Sequence, residues 1–264
     1  MKDLLSKKLE GTQAYNRKEL LWLIDHIGDT DPAIRDQLVY SSFCHALLDH
    51  LIEPELFSYI FDELKQRNIL FYKIEEKGAA TLTRSFTALV FALILDREAT
   101  VDSPYYHLLS ENDRQAIFNY AFEYLKSETD VTGWSADYGW VHSLAHGSDF
   151  LLYVGLHDAF PKERIAEILD TLTHVLKKQT QVFTAGEDRR IAILLAQLIL
   201  QKKLTQEQIA DWIEDLDFLD QSPETYFASL NLENVLMCLY FSLEKENALT
   251  ARLKEILLNS WKGY

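Results

Sequence analysis

Residues 20–48 read LLWLIDHIGDTDPAIRDQLVYSSFCHALL, and this stretch decides the fold class. Leu20, Leu21, Leu23, Ile24 and Ile27 recur at helical spacing, so one face of a helix is apolar and can be buried. The pattern then stops at Gly28-Asp29-Thr30-Asp31-Pro32. Asp31 can cap the free N–H groups of a new helix, and the fixed φ of Pro32 suits its first position. A second helix is therefore predicted from Pro32 to about Leu51, with Arg35 in its first turn.

The same punctuation continues in both directions along the chain. Glu53-Pro54 opens a helix carrying Leu56, Ile60, Phe61 and Leu64. Thr81 to Asp96 is apolar on every side and predicts a buried central helix. Ser110 with Asp113 starts the helix that holds Ile117, Phe118, Ala121, Phe122 and Leu125. Further helices are predicted over Tyr138–Gly155, Pro161–Thr180, Glu187–Gln201, Thr205–Leu216, Pro223–Glu244 and Thr250–Trp261. The polar segment Ser127 to Gly139 reads as a loop, and no stretch reads as a strand. Only 5 Pro and 9 Gly occur in 264 residues, which suits long helices with few turns.

The expectation is an all-α chain forming a single all-helical domain over residues 1–264. The helix, Asp-Thr-Asp-Pro turn and helix of residues 20–48 resemble the helix-pair unit of HEAT-like repeats. That resemblance implies an α-solenoid of stacked pairs, with an α/α toroid or a globular helical bundle as the alternatives.

Composition narrows the function classes. Hydrophobic residues make up 48% of the chain and charged residues 25%, a globular balance. The 26 basic and 41 acidic residues leave a net charge of −15 with no basic stripe, so nucleic acid is not an expected ligand. From Glu207 to Glu224 seven carboxylates (Glu207, Asp211, Glu214, Asp215, Asp217, Asp220, Glu224) occur without a Lys or Arg. They read as a solvated face, or else as a docking surface for a basic partner. The apolar run Leu89 to Leu95 is far shorter than the roughly 20 residues a membrane span needs, and no membrane role is expected. The charged start of the chain and two cysteines in apolar helical patterns, Cys44 and Cys238, point to a cytoplasmic protein.

One polar constellation stands out, between Gly133 and Leu152. In an uninterrupted helix the ~100° turn per residue would place His142, His146 and Asp149 on one face. Two imidazoles and a carboxylate form a partial site for a divalent metal, with Asp137, Glu187 or Asp188 as a further ligand or base. The preferred reading is packing without a cofactor: hydrogen-bonded histidines between helix layers, with Trp134 and Trp140 over them. His-x3-His alone is a weak motif. Arg84, and Arg189 and Arg190 beside Glu187 and Asp188, are expected near this cluster. An Arg in an apolar layer needs a carboxylate, for which Glu128, Asp130, Asp137 and Asp149 are the candidates.

Four segments together carry a family resemblance: Ile27-Gly-Asp-Thr-Asp-Pro-x-x-Arg-Asp, Arg84-Ser-Phe, Gly139-Trp-x-His-x-x-Ala-His-Gly-x-Asp and Gly186-Glu-Asp-x-Arg. From about Asp25 to Leu200 the chain resembles domain-of-unknown-function family 2785, a bacterial family. The resemblance implies no activity and assigns no catalytic residue. The leading expectation is a protein-interaction module for a protein or peptide partner, a basic one by charge. The alternative is a metal-assisted hydrolase built on His142, His146 and Asp149.

Overall fold

The computed structural model describes residues 1–217 and 222–260, apart from the side chain of Glu224. Asp220, Glu224 and Trp261, named above, therefore lie wholly or in their side chains outside the described residues. Two compact units divide the chain, Met1–Ala159 and Phe160–Tyr264, and each is described by itself.

The first unit begins with α1 (Lys2–Lys8) and α2 (Arg17–Asp25), the latter opened by a capping box between Asn16 and Glu19. Asp31 caps α3 (Pro32–Ile34) as expected, its carboxylate accepting from the Ala33 N–H at 2.9 Å. The helix then changes register. Arg35–Tyr40 forms a π-turn before α4 (Ser41–Leu48) resumes the ordinary spiral. Next come α5 (Pro54–Gln66), a short 3₁₀ turn (Ile69–Phe71), α6 (Ala79–Ala99) and α7 (Glu111–Ser127). Ser110 caps α7 by accepting from the Asp113 N–H at 3.1 Å.

Residues 127–142 depart from the expected loop and helix. Two short strands, β1 (Trp134–Ser135) and β2 (Gly139–Trp140), pair antiparallel, and α8 (Ser143–Leu156) starts five residues later than predicted. Gly139 at φ +71° and His142 at φ +49° both sit in left-handed backbone, which no α-helix can contain. Inside the unit, α6 is central: it packs most extensively on α8 and also against α4 and α5. Its 21 residues are apolar enough to cross a membrane, well beyond the Leu89–Leu95 run, but most of that surface is buried in the core. Gly147 lets α7 approach α8, because a Cβ there would fall 2.6 Å from Leu125 Cδ2 and 2.9 Å from Tyr124 Cε1.

The second unit contains α9 (Ala166–Lys177), α10 (Glu187–Leu200), α11 (Gln206–Asp215), α12 (Pro223–Lys245) and α13 (Ala251–Ser260). Thr205 and Gln208 form the capping box read from the sequence. The α10 helix packs on α12, and α11 on α13. There Arg252 lies over the acidic face of α11, whose carboxylates stay solvated: its guanidinium reaches Glu207, and lies 2.7 Å from both Asp211 and Glu214. Three carboxylates of that run thus already face a cation from their own unit. Among the described residues the fold is all-α, with the one small hairpin.

Candidate functional site

The site begins with two buried acids that hold the chain between α7 and α8. Asp130 accepts from Gly78 N–H (2.8 Å), Thr81 Oγ1 (2.6 Å), Thr132 N–H (3.1 Å) and Thr132 Oγ1 (2.7 Å). Burial pushes its carboxyl up, but these donors outweigh that and hold it below the usual carboxylate range. Glu128 takes the Arg84 fork, Nε to Oε2 at 2.7 Å and Nη2 to Oε1 at 2.9 Å, and also accepts from the Asp130 N–H at 2.9 Å. Arg84, fully buried, spends its remaining donors on the carbonyls of Tyr72, Lys73 and Glu76.

The hairpin itself is fastened from below. Arg35 is also fully buried, and its Nη2 donates to the carbonyls of Tyr138 (2.8 Å) and Trp140 (3.1 Å). Its Nη1 donates to Asp29 O at 3.0 Å, and its guanidinium lies 4.8 Å from the Phe86 ring centroid. Ser85 Oγ donates to Val141 O at 2.5 Å, and Ser143 Oγ donates to Asp130 O. Gly139 crosses over Pro32, whose Cβ would lie 3.5 Å from any Cβ added to the glycine.

On the outer side stand two tryptophans. Trp134 and Trp140 are direct cross-strand partners, so both indoles project from one face of the hairpin. They are 56% and 49% exposed. Side by side they form an exposed aromatic surface, and each indole could bury about 150–250 Å² against a partner. The His142 ring stacks under Trp140 at 4.5 Å with the planes 5° apart. Asp137 is exposed at the turn, its N–H donating to Ser135 Oγ at 3.2 Å.

The histidine cluster divides. His142 precedes α8 in left-handed backbone, so helical spacing does not fix its direction, and it turns toward Trp140. His146 is buried, with Nδ1 2.8 Å from Ser85 Oγ and its ring edge-on to Phe86. Since Ser85 gives its proton to Val141 O, the imidazole is the donor in that pair. The two rings stay neighbours, 5.5 Å apart. Asp149, half-buried, acts through its charge on the Tyr40 and Tyr153 hydroxyls, whose protons burial already holds tightly. Among the described residues no group of three His, Cys, Asp or Glu side chains is placed to hold a metal ion. The expected covering of both histidines by tryptophan is corrected too: Trp140 lies on His142 but keeps half its surface in water.

Glu187, Asp188, Arg189 and Arg190 form the first turn of α10 in the second unit. Glu187 is buried and accepts from Ala185 N–H at 2.9 Å; Asp188 Oδ1 accepts from Arg189 N–H at 2.8 Å. Both acids therefore act locally at a helix N-terminus, where negative charge is favoured.

Two features escaped the sequence reading. Arg35 was visible as an Arg on an apolar helix, the same signal that marked Arg84, but the hairpin carbonyls it holds, those of Tyr138 and Trp140, lie more than 100 residues away. The second is a buried network in which Glu98 meets His157 Nε2 at 2.5 Å and Arg114 Nη2 at 2.8 Å. At its exposed end Asp158 takes His107 Nε2 at 2.9 Å.

A family model described as "Protein of unknown function (DUF2785)" matches residues 70–241. The Arg84, His142–His146 and Gly186–Arg190 segments fall inside that match, and the Ile27–Asp36 segment precedes it. No curated protein and no solved structure matches the chain.

Proposed function

The chain belongs to the DUF2785 family, and from that premise we propose that it is a helical protein-interaction module whose binding face is the Trp134–Trp140 hairpin. The observation that carries this reading is the cross-strand tryptophan pair, half in water yet anchored by Arg35, Ser85 and Ser143. Rigid aromatic groups give contact area at little entropic cost, which is why Trp dominates interface hot spots. The net charge of −15 favours a basic protein or peptide and disfavours nucleic acid and anionic membrane. Packing between alternate helices, α4 with α6, α6 with α8 and α10 with α12, supports HEAT-like stacking of helix pairs within each unit. Unpaired, half-buried Cys44 and Cys238 agree with work in the cytoplasm.

The test uses the full chain with a photo-crosslinking residue in place of Ala136. A defined protein should be captured, and that protein, once purified, should bind W134A/W140A at least about tenfold more weakly than wild type. Far-UV ellipticity should be equal for the two chains. Equal affinity for both would sink the reading.

A further inference from the structure

Away from the hairpin, the network at the C-terminal ends of α6 and α8 sets one imidazole between two acids. His157 and Glu98 are both fully buried, and His157 Nε2 lies 2.5 Å from Glu98 Oε2. A carboxylate only accepts, so Nε2 is the donor and the state of the ring is decided at Nδ1. Two groups of opposite kind face that nitrogen: the Ala159 N–H at 3.1 Å and Asp158 Oδ1 at 3.2 Å. A neutral ring accepts from the amide. A doubly protonated ring can only donate, and the Asp158 carboxylate is the acceptor within reach. We propose that His157 is a proton-operated latch: on gaining a proton it turns from the Ala159 amide to Asp158 and tightens the turn that Asp158 holds.

That turn is Tyr106–Leu108. Asp158 accepts from His107 Nε2 at 2.9 Å and from the Tyr106 hydroxyl at 3.2 Å. The three rings lie in a row, Tyr106 on His107 at 4.1 Å and His107 before His157 at 5.9 Å, with planes 20° and 14° apart. His107 holds left-handed backbone at φ +50°, a conformation that costs free energy for a residue with a side chain. Its N–H donates to Glu98 O at 3.0 Å, and the Leu108 N–H to Tyr105 O at 3.2 Å. Contacts to Asp158 and to the end of α6 thus keep a strained turn in place.

Charge decides when the latch closes. The groups that face His157 are Glu98 from α6, the Phe118 ring from α7, His107 from the turn and Asp158 beside it. Arg114 from α7 lies behind Glu98 at 2.8 Å, and Tyr106 lies behind Asp158. Arg114 and Glu98 cancel, which leaves Asp158 as the acid that balances a charged imidazole. Its carboxylate is 49% exposed and connects the buried ring to solvent. The proton is bound more tightly in the closed form, so closure is favoured at low pH and lost as pH rises through the titration of the ring.

The experiment follows the intact protein, with isotope-labelled histidine rings, by NMR from about pH 5 to about pH 8, the window in which imidazoles change charge. His157 should pass from the doubly protonated pattern to the Nε2–H tautomer. Over the same range the amides at positions 107 and 108 should lose about tenfold in protection, after correction for the intrinsic pH dependence of exchange. His107→Gln keeps a donor for Asp158 but does not titrate, so the loss should persist in that variant. Asp158→Asn should move the His157 titration to lower pH and abolish the loss. Both substituted side chains are partly exposed, which leaves the core untouched. A His157 ring that keeps one form throughout, a pH effect that vanishes in His107→Gln, or one that survives in Asp158→Asn would each overturn the proposal.

Discussion

Arg84 is buried to 0% exposure and survives there because every part of its guanidinium is used. Glu128 balances the charge, and three backbone carbonyls with Thr81 take the other protons. Removing the cation leaves a buried carboxylate facing unsatisfied carbonyls, so Arg84→Ala is expected to cost about 3–5 kcal/mol. Urea unfolding followed by far-UV ellipticity measures it. Replacing both members by apolar residues often rescues a simple ion pair, but Arg84→Met with Glu128→Leu should not, because the carbonyls of Tyr72, Lys73 and Glu76 stay unpaired. Recovery of wild-type stability in that double variant would show the charge pair to be the whole story. The need of Arg84 for a carboxylate was legible from its apolar neighbours. The choice of Glu128 was not, since it depends on how a loop 44 residues away closes.

At the scale of elements, legibility follows periodicity. The helices α5, α6, α10 and α11 could be read because many residues vote for one period, and caps such as Asp31 before α3 and Thr205 before α11 mark where helices start. Strands of two residues carry no alternation, and the left-handed turn at His142 has no glycine to announce it. The hairpin was therefore invisible, and the histidine face drawn from uninterrupted helical spacing failed at its first step. Arg35→Lys should expose the dependence of this element on its anchor. An ammonium cannot span the carbonyls of Tyr138, Trp140 and Asp29 together. Hydrogen–deuterium exchange is expected to rise across 133–142 while α10 keeps its protection. Unchanged exchange in the hairpin would remove Arg35 from that role.

For the whole molecule, the titration of buried acids sets the response to pH. Burial pushes the Glu98 carboxyl up, but hydrogen bonds from His157 and Arg114 and their charges outweigh it, leaving it below its ordinary value. Asp130 is lowered likewise. A depressed native pKa means stability that is present above the ordinary carboxylate range and lost as pH falls through it. The melting temperature should thus fall between pH 7 and about pH 3. Acid also relieves repulsion among the excess carboxylates of a −15 chain, which works in the opposite direction. Glu98→Gln separates the two: it should lower stability at pH 7 and flatten the acid limb, whereas a parallel curve would assign the acid response elsewhere. Composition made the helical class and the net charge legible. The pairing of Glu98 with His157 was not, because those groups lie 59 residues apart.

The π-turn at Arg35–Tyr40 has a consequence best put in the language of insertions and deletions. A π-turn closes on the fifth residue instead of the fourth, so it holds one residue more than the surrounding spiral requires. Loss of a single codon among residues 36–40 would leave a smooth helix and rotate Arg35 by about 100° relative to α4. Either α4 would keep Phe43, Ala46 and Leu47 in the core while the guanidinium left the hairpin, or the reverse. A chain deleted at Gln37 should therefore remain helical by far-UV ellipticity yet either exchange freely at 133–142 or, if Phe43, Ala46 and Leu47 leave the core instead, melt at a lower temperature. The supernumerary residue is what allows one helix to serve two directions at once.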